Sequence, residues 1–347
     1  MAARAADGRT DRRQGAAMAA SDDFADLTDP YRRELLAHCY RMLGSVHDAE
    51  DQVQETLLRA WRSYGDFEGR ASLRTWLYRI ATNSCLRAIE NRSRRPLPSG
   101  LGAPNSDPDG ALGPERPEVP WLQPIPDALL PAGDPAAAAD LRQSTRLALI
   151  AALQYLPGRQ RAVLLLRDVL GWRAAEVAEL LGTSTAAVNS MLQRARTQIA
   201  AAAPAEAELR EPPGRGDRDL LDRYAAAFEN ADVAALMGLL TADAVLEMPP
   251  QPAWFAGRDV IGRFLAGRVL TKPGRFAMVA TAANGGAATA SYLRGTGGAY
   301  HCHAIQVVTV TAAGISRVVS FHDRSLFGLF GLPPVLPIPA AVPAWPQ

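Results

Sequence analysis

Six side chains able to read a DNA base or hold a phosphate recur on one side of a short segment: Thr185, Asn189, Ser190, Gln193, Arg194 and Arg196. Amides and guanidinium groups pair with base edges in the major groove, and hydroxyls and guanidinium groups hold phosphate. The chemistry on offer is recognition of duplex DNA, and the alternative is a helical hairpin with a merely solvated face. A second set lies upstream, where Tyr64, Phe67 and Tyr78 neighbour Asn83 and a basic run ending in Arg92, Arg94 and Arg95. Aromatic faces stack on unpaired bases and arginines follow the backbone, a combination suited to single-stranded DNA. Trp61 and Trp76 belong to the same stretch, but large aromatics at helical spacing pack inward, so both are expected in the core. A third set holds His301 and His303, two apart, with Glu247, Trp254, His322 and Asp323 able to join them. A His-x-His pair can begin a metal site, and a pocket histidine or carboxylate with a shifted pKa can move protons. No third and fourth ligand is set by spacing, so neither a metal nor another cofactor is expected, and no catalytic residue is assigned.

The elements that must position these groups are legible. Ala178, Gly182 and Val188 stand at the spacings of a helix-turn-helix: a small residue at the crossing, a glycine for the left-handed turn, an apolar plug. Ser184 or Thr185 caps the second helix, whose core face is Val188, Leu192, Ala195 and Ile199. Upstream, one helix carries Val53, Leu57, Ala60, Trp61 and Tyr64 on one side and Asp51, Glu55, Arg59 and Arg62 on the other. The loop "GDFEGR" follows, then a helix capped by Ser72 that grows basic toward its end.

At 347 residues the chain suits two or three domains. Its formal net charge of +1 hides an internal asymmetry. Residues 96–140 hold eleven prolines and seven carboxylates against Arg116 alone, about −6, and read as an extended acidic linker. Residues 141–201 hold eight arginines against Asp168, Glu176 and Glu179, about +5. The expected division is a disordered 1–25, an all-α domain at 26–95, the linker at 96–140 and a second all-α domain at 141–201. A short linker at 202–216, an α+β domain at 217–331 and a proline-rich tail at 332–347 complete it. Cys39, Cys85 and Cys302 are far apart and indicate neither a disulfide framework nor a zinc site. No apolar run is long enough to span a bilayer, and the N-terminal stretch lacks a secretory core, so no membrane partner and a cytoplasmic location are expected.

The run "DAEDQVQETLLRAWRSYGDFEGRASLRTWLYRIATN", followed after a gap by "LPGRQRAVLLLRDVLGWRAAEVAELLGTSTAAVNSMLQRAR", resembles a bacterial sigma-70 family RNA polymerase sigma factor of the extracytoplasmic-function group. The resemblance implies that 26–95 is sigma domain 2 and 141–201 is sigma domain 4. It implies that Asp51, Gln54 and Glu55 dock on the beta-prime clamp of core RNA polymerase, the beta subunit being the further contact. The loop from Tyr64 to Arg70, with Phe67, would take a base flipped from the melted minus-10 element, and Arg74, Arg79, Asn83 and Arg87 would follow that strand. The helix from Thr185 to Arg196 would enter the duplex minus-35 element. The linker between these domains threads the polymerase cleft in that family, and "PWLQPIPDALL" at 120–130 resembles the linker motif of members with a C-terminal extension; an unstructured tether is the other reading. Asn189 and Met191 replace the Lys and Arg common in the recognition helix, which implies a weaker phosphate grip and more amide-based readout.

The C-terminal part, from "DLLDRYAAAFENADVAALMGLLTADAVLEMPP" to "GISRVVSFHDRSLFGLFGLP", resembles a SnoaL-like domain of the nuclear-transport-factor-2-like superfamily, a curved sheet and helices forming a cone with an apolar pocket. Alternation places His301 and His303 on one face with Ile305 and Val307, lining the cone or facing out. The resemblance to sigma factors with this extension implies a domain that regulates the sigma modules, with room for a small ligand. The alternatives are an isomerase or hydrolase fused to a DNA-binding regulator, and a plain helix-turn-helix repressor.

Overall fold

The computed structural model describes residues 24–90, 94–131, 143–202 and 215–336. The stretch expected to be disordered lies almost wholly outside these residues, as do 132–140 of the linker, 141–142 of the second all-α module, most of the second linker and 337–347 of the tail. Helices follow in the order α1 Arg32–Leu43, α2 Val46–Arg62, α3 Leu73–Glu90, α4 Leu147–Leu153, α5 Gly158–Leu164, α6 Ala174–Leu181 and α7 Thr185–Ala202. The C-terminal part runs α8 Arg215–Glu229, α9 Val233–Leu239, β1 Leu240–Met248, β2 Gln251–Ala256, α10 Arg258–Phe264, β3 Phe276–Ala283, β4 Gly286–Arg294, β5 Tyr300–Thr311, β6 Gly314–Phe321, α11 Leu326–Leu329 and β7 Val335–Leu336. None of the described helices is long and apolar enough to cross a membrane.

The chain gathers into two compact units, one of residues 1–92 with 158–191 and one of 93–157 with 192–347. Residues 141–201, expected as one module, are therefore shared between them.

In the first unit α1 ends where Gly44 turns left-handed at φ 70°, and Ser45 at once caps α2, its Oγ accepting from the Asp48 amide at 3.2 Å. Leu35, Tyr40, Met42, Val53, Leu77 and Cys85 form the buried interior. A leucine so buried stabilises the fold by roughly 2–5 kcal/mol relative to alanine. Helix α5 starts at Gly158, where a Cβ would stand 3.1 Å from Ile89 Cγ2 of α3. Three residues on, the buried Arg161 donates to the carbonyl of Met42. That oxygen is in the last turn of α1, whose carbonyls lack intrahelical donors, and a cation is favoured there. Burial lowers the Arg161 pKa to about 10, which leaves it charged at neutral pH.

In the second unit the strands form one sheet in the order β2-β1-β6-β5-β4-β3. Only β1 with β6 is parallel; the other neighbours are antiparallel. Asn284 and Gly285, both left-handed at φ 57° and 71°, make the two-residue turn from β3 to β4, which is what Asn-Gly between strands encodes. Helices α8, α9 and α10 supply Tyr224, Phe228, Leu236, Ile261 and Phe264 to a core shared with the inner sheet face.

Of the two readings of the linker, the unstructured tether is the one the structure departs from. The acidic linker is not a loose tether: 94–131 is irregular but packed in the same unit as the sheet, with Leu122 and Ile125 fully buried. Prolines prevent it from joining a ladder at length, so its backbone groups bond singly to loops and side chains instead. Within the proline-rich tail, Val335 and Leu336 pair with His301 and Tyr300 of β5.

Candidate functional site

Three sites emerge, each built by different elements. On α7, Ser184 caps the helix, its Oγ accepting from the Ala187 amide at 3.2 Å, and Gly182 turns left-handed at φ 59°. Val188, Leu192 and Ala195 are buried. Thr185, Asn189, Ser190, Gln193, Arg194 and Arg196 are all exposed. Thr185, Asn189, Gln193 and Arg196 are four, four and three residues apart, one continuous face of amide, hydroxyl and guanidinium groups.

The first unit carries the second site. Tyr64 and Phe67 stack with ring centres 6.2 Å apart, Phe67 meets Trp76 at 4.8 Å, and Phe24 meets Tyr64 at 5.1 Å. Tyr64 is exposed on this aromatic row, while Phe67 and Trp76 are half-buried. Trp61, expected in the core, is 46% exposed. The inward stripe of α2 runs through Val53, Thr56 and Ala60, and Trp61 lies one residue, about 100°, around the helix from it. Arg79, Asn83 and Arg87 stand at steps of four along α3, so they share one stripe. Arg74 falls outside that stripe: its Nε bonds Glu34 Oε2 at 2.6 Å and its guanidinium lies 5.0 Å from the centre of the Tyr78 ring. Arg70, in the preceding loop, is exposed and pairs with Glu68 at 2.8 Å. Arg79 donates to Glu179 of α6 at 2.9 Å. On α2, Asp51 and Gln54 are exposed, and Glu55 accepts from Arg59 Nε at 2.5 Å.

The third site is a cavity of about 80 Å³ between the inner sheet face and the helices of the second unit. Phe228, Leu236, Leu246, Met248, Ile261 and Phe276 are among the apolar residues that line it. Its polar groups are Tyr224, His303, Gln306, Ser320 and His322. Tyr224 and Thr289 both donate to Gln306 Oε1, at 2.9 and 3.3 Å, and His322 Nε2 stands 3.3 Å from Ser320 Oγ. The His303 and His322 rings meet edge to face at 4.7 Å. Desolvation lowers both pKa values to about 4, aided at His303 by Arg324 and Arg275 and at His322 by His303, so both are neutral near pH 7.

Of the six residues offered for this pocket, only His303 and His322 line it. His301, paired on β5 with Leu293 of β4 and Val335 of β7, is exposed. The expected grouping of His301 and His303 with Ile305 and Val307 fails because β5 has a bulge: Tyr292 pairs with Cys302 and Ser291 with Ala304, leaving His303 unmatched. One extra residue reverses the alternation, so His303 shares the cavity with Gln306 rather than with Ile305. Glu247 sits between the cavity residues Leu246 and Met248 on β1 and points to the opposite face. There it is fully buried, paired with Arg317, and accepts from the linker amide of Ser99 at 2.9 Å. Trp254 is opposite Glu247 in register and donates to the Gly102 carbonyl of the linker at 2.9 Å. Asp323 accepts from linker Gln123 at 3.3 Å. No group of three or more potential metal ligands occurs among the described residues.

Sequence reasoning placed Glu247, Trp254 and Asp323 at a pocket rather than on the linker, and it missed other residues that hold the linker. Asn284, at the hairpin tip, donates from its amide to the Ile125 carbonyl at 2.9 Å and accepts at Oδ1 from the Ile125 amide at 3.2 Å. Its Nδ2 donates to the Thr145 carbonyl at 2.8 Å, and Asp127 accepts from the Gly285 amide at 2.7 Å. The Asn-Gly signal for the turn was visible; its partners, 159 residues away for Ile125, were not.

Residues 27–95 match Sigma-70 region 2, residues 146–199 match Sigma-70 region 4, and residues 221–319 match the SnoaL-like domain. The ECF RNA polymerase sigma factor SigG of Mycobacterium tuberculosis is 53% identical over 313 residues, covering 90% of this chain and 84% of the relative. SigJ of the same species is 31% identical over 245 residues, 69% of this chain and 70% of the relative. The crystal structure of the Mycobacterium tuberculosis extracytoplasmic function sigma factor SigJ superposes with a TM-score of 0.61 at 23% identity, covering 89% of this chain and all of that one, which shows the fold. With both sigma regions in order and 53% identity to SigG over 90% of its length, the chain belongs to the ECF RNA polymerase sigma factors.

Proposed function

We propose that this sigma factor engages core RNA polymerase through the α2 face of Asp51, Gln54 and Glu55, reads the duplex minus-35 element with α7, and captures the melted minus-10 strand. The minus-10 capture uses the loop of Tyr64, Phe67 and Arg70 and the stripe of Arg79, Asn83 and Arg87, with Arg74 at its margin. The observation that carries the DNA reading is the α7 face, where hydroxyl, amide and guanidinium groups are all exposed over a buried apolar side. That work takes place in the cytoplasm, at the nucleoid, with the polymerase.

The C-terminal domain regulates this activity by holding the linker. Asn284, Asp127 and Glu247 bond linker and domain together, and a linker so held is withheld from the polymerase cleft. The domain acts without catalysis. An imidazole whose conjugate acid has a pKa of about 4 is a weak base at neutral pH, and the carboxylate offered as a base, Glu247, lies on the face opposite the cavity.

In vitro transcription with purified core polymerase tests the reading. The full chain is expected to start RNA at new promoters, and the form truncated after residue 203 is expected to change that output. No new start sites with either form would overturn the sigma assignments; equal output from both would remove the regulatory role.

A further inference from the structure

Asn284 and Gly285 are the only Asn-Gly pair in the chain, and such a pair is chemically labile as well as turn-forming. The Gly285 backbone nitrogen can attack Cγ of Asn284, and glycine puts no Cβ in the way. An N–Cγ bond then closes a five-membered imide, the Cγ–Nδ2 bond breaks, and the amide proton leaves with that nitrogen as ammonia. One water opens the imide to an aspartate or, by attack at the main-chain carbonyl, to an isoaspartate. In the folded chain each reacting group is already engaged. The Gly285 N–H donates to Asp127 Oδ1 at 2.7 Å. The Asn284 carboxamide is held at both ends, Oδ1 accepting from the Ile125 amide at 3.2 Å and Nδ2 donating to the Thr145 carbonyl at 2.8 Å. Cγ cannot swing onto the Gly285 nitrogen without breaking both bonds. Asn284 is 2% exposed, which withholds the water the second step consumes. Ile125 and Asp127 belong to the linker and Thr145 lies just beyond it, so what restrains the pair is not the hairpin itself but the segment docked on it.

We propose that Asn284-Gly285 is a self-modification site that the docked linker holds shut, and that release of the linker lets the pair deamidate and bars the linker from returning. Deamidation replaces Nδ2, the donor to Thr145, with a carboxylate oxygen that has no proton to give. It also sets a negative charge beside Asp127 in the same turn. An isoaspartate lengthens the main chain by one carbon and disturbs the pairing of Ala283 with Gly286. An aspartate accepts the left-handed φ of 57° nearly as readily as asparagine does, so its cost falls on the linker contacts and not on the turn. The chemistry stands on the turn and its partners alone. Its consequence, a linker release that becomes one-way, rests on the reading of the held linker as regulatory.

The test incubates the full chain at neutral pH and follows its tryptic peptide 276–294 by mass spectrometry, with isoaspartyl methyltransferase labelling to read the isoaspartate. Asn284 is expected to persist in the folded protein. It should convert at least about tenfold faster in the guanidinium-unfolded chain and in Asp127→Ala, because losing a hydrogen bond to a charged group populates the opened turn. Asp127→Asn, which keeps an acceptor oxygen, should restore most of the protection, with circular dichroism confirming that both variants are folded. Asn284→Asp, which imitates the product, should speed limited proteolysis within 94–131. Conversion as fast in the folded protein as in the unfolded chain, or no faster in folded Asp127→Ala than in the unaltered protein, would overturn the guard. Digestion unchanged by Asn284→Asp would overturn the bar to return. Failure of the regulatory reading is distinguishable: a guarded Asn284 with transcription insensitive to truncation removes the regulation and leaves the site. Transcription that responds to truncation, with Asn284 unguarded, removes the site alone.

Discussion

Arg79 of α3 donates through Nη1 to Oε1 of Glu179 on α6 at 2.9 Å, so the first residue of the stripe proposed for the melted strand is engaged by the first helix of the helix-turn-helix. The hydrogen bond from Arg79 holds the Glu179 carboxyl below its usual range, and the side chain of Glu179 is itself two-thirds exposed. A phosphate must therefore displace a carboxylate to reach Arg79.

Removing that competitor should help the strand bind. Glu179→Gln is expected to tighten binding of a single-stranded minus-10 oligonucleotide to the free full-length protein by about two- to fivefold at low salt, an effect that shrinks as salt screens the pair. Fluorescence anisotropy at two ionic strengths measures it; equal affinity before and after the change would detach Arg79 from the strand.

Readout by α7 should reside in its amides. Asn189→Ala and Gln193→Ala are each expected to reduce discrimination between the preferred and altered minus-35 elements by about 1–3 kcal/mol while polymerase still co-purifies with the protein. Competition binding by the reconstituted holoenzyme checks this, and undiminished discrimination would move the reading face elsewhere on the helix.

The linker clamp should depend on one buried carboxylate. Glu247→Gln leaves Arg317 without its counter-charge and weakens the bond from the Ser99 amide, at a cost of about 1.5–3 kcal/mol. Limited proteolysis should then cut within 94–131 faster than in the unaltered protein. Identical digestion of both would show that the carboxylate does not retain the linker.

Acid should weaken the first unit through His38. This residue is buried on α1, bonded through Nε2 to Thr82 Oγ1 at 3.0 Å, and desolvation, followed by Arg41, lowers its pKa from 6.5 to about 3. The folded state binds this proton less readily than the unfolded state does. The stability is therefore complete above about pH 6.5 and falls as pH drops toward 3, by about 2 kcal/mol between pH 7 and pH 5. Urea titrations at those two pH values should show the loss, and His38→Gln, which keeps a donor toward Thr82, should flatten it. An unaltered pH slope in the variant would assign the acid sensitivity to other groups.

Local physics made part of this molecule legible in advance. A helix repeats every 3.6 residues and a cap reaches three residues forward, so burial of Val188 with exposure of Asn189, and capping by Ser72 and Ser184, follow from near neighbours alone. The motif order that marks a sigma factor is likewise carried by the linear chain. What depended on tertiary structure is where distant segments meet: Arg79 with Glu179 across 100 residues, the Ser99 amide with Glu247 across 148, and Asn284 with the linker. A hydrogen bond of this kind has no period to betray it, because its partner is chosen by how the chain closes on itself. The bulge at His303 belongs to the same class, since whether a strand gains a residue against its neighbour is settled by the pairing of two strands, and that pairing decided which histidines face the cavity.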